Sequence, residues 1–446
     1  MNSIKWPGAE YWPQWQKVLF RFFFCYLLLY TRPWTSIDYI AQYFADYTDN
    51  AFILTQWYHD LMDKAVRATN KYFFHTYSEL VSPNGSGDTS YNWTEIWLLL
   101  WVSLLGCTVW TFIDIKRRNY NRLGYWLRIF VRYFVIINCF TYGIIKLFVL
   151  QMTFPNLSQL ATPLGDYLPM RLSWMFMGYS NTYQQFSGLM EIFAGVLMLF
   201  RKTSSFGTLL AAGVFGNVFM MNVSYDIPVK LFSLHLFLMC LVLLAFEYKR
   251  ILSFFILNKP TEVNNLYRVS FPKKWMRVTR IVMKCLFVII IVIMPFLNSR
   301  DRYNNMVNQA DSKPIRSGVY DVTLFVLNKD TIPALTTDSL RWQDVIFEKG
   351  TFGSIKTTDT LFRQRYRRGY FNYKIDSAGT SIAFTKSNVT GNTFNLFTLK
   401  FQQPDSNTVV LHGLYKSDSL FAVLKKSNRH FQLAERQFHW LSEYNR

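Results

Sequence analysis

Long apolar runs constrain this chain more than any other feature. A helix needs roughly 20 mostly apolar residues to cross about 30 Å of hydrocarbon. Seven runs approach that requirement: Gln16 to Thr31, Asn92 to Ile113, Leu127 to Met152, Phe186 to Phe200, Phe206 to Val223, Val229 to Phe246 and Met276 to Leu297. The first and fourth are short and need tilt or flanking aromatics to span. A content of 51% apolar and 18% aromatic residues is too high for an ordinary soluble enzyme and agrees with a membrane part. The first run lacks a small-residue cleavage site before Tyr30-Thr31-Arg32-Pro33-Trp34, so it reads as a retained anchor.

After Leu297 the texture becomes alternating. Val319 to Leu327, Gln343 to Glu348, Gly369 to Ile375, Ser381 to Thr385, Thr393 to Phe401, Thr408 to Leu414 and Ser419 to Leu424 place apolar and polar residues in turn, separated by tight-turn sequences. That pattern predicts an antiparallel barrel or sandwich, closed so that no edge is exposed. Such a domain would hold a small ligand or dock on the membrane part or on a partner. The expected organisation is four segments: 1–126 with amino-terminal spans and a long outer loop, 127–250 as a four-helix membrane core, 251–297 with a cytoplasmic loop and the last span, and 298–446 as the β-rich domain.

The net charge of +20 is placed mainly in short loops. Lys116, Arg117, Arg118, Arg122 and Arg128 follow the second run, and Lys249, Arg250, Lys259, Arg268, Lys273, Lys274, Arg277 and Arg280 follow the sixth. The positive-inside rule makes both loops cytoplasmic. The amino terminus is then inside, and the Arg32 to Tyr91 loop and the β domain are outside; the expected location is a bacterial inner membrane with the β domain in the periplasm. No nucleic-acid recognition motif accompanies the charge, so the bilayer is the partner it implies. In the outer loop, Ile37 to Tyr47 and Phe52 to Phe74 have helical apolar spacing. The loop closes on Ser82-Pro83-Asn84-Gly85-Ser86-Gly87-Asp88-Thr89, which reads as a plain turn with Asp88 or Thr89 ready to cap the next helix.

Cys25, Cys107, Cys139, Cys240 and Cys285 all lie in apolar runs, without C-x-x-C or zinc-type spacing. Of the histidines, His235 alone lies in a candidate span, which excludes a haem held between two membrane histidines. No metal, and no cofactor ligated by Cys or paired His, is expected.

Charged groups within hydrocarbon are functional candidates by default. Arg21 and Arg132 lie near the cytoplasmic end, where they can snorkel to headgroups. Lys146 and Glu191 reach similar depth near the outer end of neighbouring runs and should pair. His235, Asn217 and Asn222, with Asp226 and Lys230 in the turn between the last two runs of the core, belong to the same outer layer. Two readings stand side by side. The layer is a fastening between helices, or it lines an outward pocket in which Lys146 or His235 holds a polar headgroup such as a quinone carbonyl.

The stretch Arg128 to Phe246 resembles the DoxX family of small four-helix membrane proteins. The similarity lies in Arg132, Tyr142-Gly143-Ile144-Ile145-Lys146-Leu147, Glu191 with Gly195, and Asp226-Ile227-Pro228-Val229-Lys230 leading to His235. With the Gly85-Ser86-Gly87-Asp88 loop before it and a β domain ending in Phe438-His439-Trp440 after it, the whole looks like a longer DoxX-like form. Members have been associated with thiosulfate:quinone oxidoreductase and redox homeostasis. The resemblance therefore implies a quinone-associated redox subunit; the alternative is a non-enzymatic envelope anchor presenting a β domain to a protein partner. A fainter similarity, to the membrane part of vitamin K-dependent carboxylases, would make Lys146 a counterpart of a helix-borne lysine. Leu147-Phe148-Val149-Leu150 departs from that pattern.

Overall fold

The computed structural model describes residues 11–38, 54–261, 269–308, 315–334, 341–387, 393–436 and 439–441. In chain order the helices are α1 Gln14–Thr31, α2 Gln56–Thr69, α3 Ser90–Ile113, α4 Asn121–Leu147, α5 Leu157–Leu160 and α6 Pro169–Tyr179. They continue with α7 Asn181–Leu199, α8 Ser204–Ser224, α9 Lys230–Ala245, α10 Tyr248–Phe255, α11 Lys274–Val307 with a π-helical turn at Ile289–Ile293, and α12 Gln432–Glu435. Two compact units result: Met1–Gln151 with Thr182–Asp301, and Met152–Asn181 with Arg302–Arg446.

In the first unit α3, α4, α8 and α11 are long and apolar enough to cross a membrane, and α9 with α10, bent by 84°, would supply a fifth span. The two shortest predicted runs are indeed helical, as α1 and α7. Lys17, Arg21, Gln184 and Glu191 keep them less apolar, so length and composition alone establish four or five of the seven spans. Thr89 caps α3 through a reciprocal box: its hydroxyl accepts from the Asn92 backbone N–H at 3.3 Å, while the Asn92 side-chain Oδ1 accepts from the Thr89 N–H at 3.2 Å. Gln56–Thr69 and the π turn Asn70–Phe74 fall within the predicted outer helix. Residues 39–53 lie outside the described ones, and with them most of the Ile37 to Tyr47 prediction.

Glycines set how closely the helices approach. A Cβ added at Gly143 of α4 would lie 2.8 Å from the Gly188 carbonyl oxygen of α7, and one added at Gly188 would lie 2.6 Å from the Gly143 oxygen. Gly207 of α8 meets the Ala194 oxygen in the same way, at 2.9 Å. Small residues at such crossings suit a lipid environment, where apolar side chains gain little by leaving lipid and close backbone contact supplies the attraction.

Arg21 does not snorkel. It is 1% exposed, and its guanidinium donates to Tyr120 Oη at 2.9 Å, Thr111 Oγ1 at 3.0 Å and the Asp114 carbonyl at 3.0 Å. Three acceptors from α3 and the following turn replace the water it would otherwise seek.

The second unit is built on ten strands: β1 Gly318–Leu327, β2 Asp330–Thr331, β3 Asp344–Phe347, β4 Phe352–Ile355, β5 Arg363–Arg365, β6 Arg368–Ile375, β7 Ser381–Ser387, β8 Thr393–Asp405, β9 Thr408–Tyr415 and β10 Asp418–Lys426. Eight of them pair antiparallel in the order β1-β3-β4-β6-β7-β8-β9-β10, and β10 returns to β1 from Tyr320↔Lys426 to Leu327↔Leu420. The sheet is thus a closed barrel, one of the two expected closures, with β2 and β5 as short side arms. Its interior is filled by Trp342, Phe362, Phe371, Phe384, Phe397 and Tyr415, whose rings contact one another at centroid separations of 4.8 to 6.4 Å.

All four residues of β3 are buried, against the alternation of an ordinary barrel strand. The segment around α5 explains this, because Leu157 and Ala161 pack with Val319, Ile346 and Phe431 on the outer face. Glu348 fixes the segment: its carboxylate accepts from the Ser158 amide at 2.7 Å, the Leu157 amide at 3.2 Å and the Ser158 hydroxyl at 2.7 Å. A buried chain continues from Ser158 through Ser354 at 2.8 Å and Arg368 at 2.9 Å to Asp344 at 2.5 Å. The predicted loop Gln151 to Gln185 therefore contributes structure to the barrel unit.

Candidate functional site

Lys146 stands at the last turn of α4, three residues beyond Gly143, and Glu191 stands three residues beyond Gly188. Helical side chains lean toward their own N-terminus. Across the glycine contact of these helices that lean brings the ammonium and the carboxylate together, and Lys146 Nζ donates to Glu191 Oε1. The side chains are 6% and 1% exposed. The predicted pair is formed, while the second carboxylate oxygen, Oε2, has no hydrogen-bond partner among the described residues.

His235 is held by a different set of helices. Its Nδ1 lies 2.6 Å from the Leu231 carbonyl, which only accepts, so this nitrogen carries the proton and Nε2 of the neutral ring is left to accept. Tyr26 Oη of α1 lies 2.5 Å from Nε2, and the Tyr30 ring stacks on the imidazole at 4.1 Å and 8°. Neither tyrosine was singled out from the sequence. The available signal was their four-residue spacing inside a Phe/Leu run, which puts two hydroxyls on one helix face.

Asn222 ties the hairpin between α8 and α9, its Nδ2 donating to Ser233 Oγ at 2.9 Å and the Val229 carbonyl at 3.4 Å. Asp226 occupies the left-handed region at φ 49°, which aspartate tolerates in turns, and accepts from Lys230 Nζ at 2.7 Å. The glycine-rich turn docks here. Asp88 accepts from the Lys230 amide at 2.8 Å and the Leu231 amide at 2.9 Å, Gly87 N–H donates to the Pro228 carbonyl at 2.8 Å, and Lys230 Nζ lies 3.7 Å from Asp88. Asp88 thus caps the N-terminus of α9, while Thr89 caps the helix that follows it in sequence.

Two predicted members stand apart. Asn217, five residues before Asn222 and so turned by about 140° around α8, is exposed and borders a 480 Å³ cavity with Tyr183 and Phe186. Arg132 precedes Lys146 by about 21 Å of helix and lines a cavity at the opposite end of the bundle. Among the described residues no hydrogen bond or ion pair joins Lys146 or Glu191 to His235, and no group of three His, Cys, Asp or Glu side chains is placed to hold a metal ion. The hydrogen bonds fall into two groups, one joining α4 to α7 and the other joining α1 and the Ser86–Asp88 turn to the α8–α9 hairpin.

Apolar helices of membrane-spanning length joined to a closed eight-stranded barrel give this chain the make-up of an integral membrane protein with a β domain. No family model matches it, and no solved structure matches it. It is 31% identical over 126 residues to the uncharacterized protein YwoB of Bacillus subtilis strain 168, a similarity that covers 28% of this chain and 79% of the relative. The chain belongs to the family of YwoB.

Proposed function

We propose that this is a non-enzymatic envelope protein: a seven-span helical anchor, in a DoxX-like long form, that holds a β-barrel domain outside the cytoplasmic membrane for a protein partner. The observation that supports it best is that Lys146, Glu191, Asn222 and His235 bond neighbouring helices. The filled barrel interior points the same way, since it directs binding to the outer surface, where Leu324 and Phe421 of adjacent strands are exposed. The orientation rests on the basic loops after α3 and α9, with the barrel on the other side.

One observation favours the quinone-associated redox subunit as a second reading. Glu191 Oε2 is a buried acceptor without a partner among the described residues, and a hydroquinone hydroxyl is a donor that would suit it. Two measurements separate the readings. Organic extracts of the purified protein should contain no quinone above that of a control membrane protein from the same cells. A folded Lys146→Met/Glu191→Leu variant should restore a deletion strain. Stoichiometric quinone in the wild type that disappears in the variant would overturn the anchor reading.

A further inference from the structure

At the end of the helical unit opposite Lys146 lies a cavity of about 740 Å³, bounded by the first turns of α4, the α7–α8 turn, the end of α9 and the first half of α11. Its charged lining is Arg128, Arg132, Arg201, Arg280, Lys284 and Glu247, five cations to one carboxylate. Glu247 already accepts from Arg250 and from Ser205 Oγ. The remainder of the wall is largely apolar, with Trp126, Leu243 and Phe287 among its residues.

Gathering like charges in a concave site costs free energy that a counter-ion would offset. Arg132, Arg280 and Lys284 are close enough to repel one another. Arg132 Nε is buried with no hydrogen-bond partner among the described residues. Lys284 reaches the Leu199 carbonyl at 2.8 Å and lies 4.6 Å from the centre of the Phe200 ring, which holds its ammonium against the wall. An arginine that merely snorkels stands in the bulk headgroup layer; these line one concave volume beside apolar side chains.

We infer that this cavity binds an anionic lipid, a phosphate oxyanion set among Arg132, Arg280 and Lys284 with its hydrocarbon chain along the apolar wall. The shared chemistry is a phosphate on a long chain, supplied by a glycerophospholipid or an isoprenyl phosphate. The proposal is independent of the anchor reading, since it concerns residues that the outer fastenings do not use.

The test is thermal stabilisation and native mass spectrometry of the full chain in neutral detergent, with phosphatidylglycerol, an isoprenyl phosphate, phosphatidylcholine or inorganic phosphate added. Phosphatidylglycerol or the isoprenyl phosphate, whichever is the natural source, should bind about tenfold more tightly than phosphatidylcholine. Arg132→Gln with Lys284→Gln should remove that preference while leaving phosphatidylcholine binding unchanged. Equal binding of anionic and zwitterionic lipid by the wild type would overturn the proposal without any variant, and so would an equal effect of inorganic phosphate alone, which would make the site one for a free anion.

Discussion

The Lys146–Glu191 pair offers the sharpest test of how the bundle is held. Both side chains are almost fully buried against α4 and α7, and the second carboxylate oxygen has no partner among the described residues to fall back on. Lys146→Met leaves a carboxylate with neither oxygen paired, and Glu191→Leu leaves an ammonium with three donors and no acceptor. Removing one member of a buried pair costs about 3–5 kcal/mol, whereas replacing both by apolar residues of similar size is neutral or stabilising by about 1–4 kcal/mol. The double variant should therefore be more stable than either single one, with a coupling energy of at least about 3 kcal/mol. Unfolding in mixed micelles, followed by far-ultraviolet circular dichroism while the denaturing detergent fraction is raised, measures all four proteins. Single variants within about 0.5 kcal/mol of wild type, or effects that simply add, would refute the buried-pair reasoning.

Four further outcomes are expected. Tyr26→Phe removes the hydroxyl on His235 Nε2 and should cost about 1–3 kcal/mol in the same assay; an unchanged midpoint would mean that the ring stack and the Leu231 bond suffice to hold the histidine. Gly188→Ala puts a methyl 2.6 Å from the Gly143 oxygen and should destabilise by about 1–3 kcal/mol or more, because backbone cannot swing aside as a side chain can. In the barrel unit, the Ser381 amide, with the Thr380 amide and hydroxyl, holds the Asp376 carboxyl down at about 2. A depressed carboxylate stabilises above its unfolded pKa of about 3.9 and loses that effect as pH falls through the folded value. The melting-temperature deficit of Asp376→Asn at pH 7 should therefore shrink between pH about 4 and about 2, and a constant deficit would show that ionisation is irrelevant there. Finally, Ser406→Cys, in the exposed turn between β8 and β9, should react with an impermeant thiol reagent in intact cells; labelling only after permeabilisation would invert the proposed orientation.

Most barrel strands were readable as alternation, because a strand with one face in the core and one in water writes its period directly into the sequence; Asp344–Phe347, expected to alternate, is instead buried throughout. The omissions fall where that condition fails. Phe352–Ile355 has a glycine in its interior and three buried residues in succession, so no alternation marks it. Leu157–Leu160 is a single turn, too short for a helical period, although its Asn156/Gln159 capping box was present in the sequence. The polar layer at the Lys146 end of the bundle was legible only in depth. Equal distance from the membrane surface placed Lys146 level with Glu191, but helix rotation decides lateral contact. Rotation sends Asn217 outward and Asn222 inward along one helix. Asp88 caps a helix that begins 142 residues later, and no local pattern carries that information.

The bonds at the Lys146 end of the bundle share a property that local sequence rules cannot express, for each joins parts of the chain distant in sequence: Tyr26 to His235, Lys146 to Glu191, and Asp88 to the amides that open α9. In lipid, apolar contact discriminates poorly between one helix register and another, so a few polar bonds and backbone-close glycines can select a single arrangement. A one-residue slip of α7 against α4 would turn Glu191 by about 100° away from Lys146 and drive Gly188 off Gly143. The opposite end is arranged differently: there Lys284 donates to the Leu199 carbonyl and Glu247 pairs with Arg250. Its cavity lining carries four more positive than negative charges, five against one, so electroneutrality there must be supplied by other groups or from outside the chain. One end of the bundle is thus joined by bonds among its own residues, while the other gathers the cationic lining on which the anionic-lipid proposal rests.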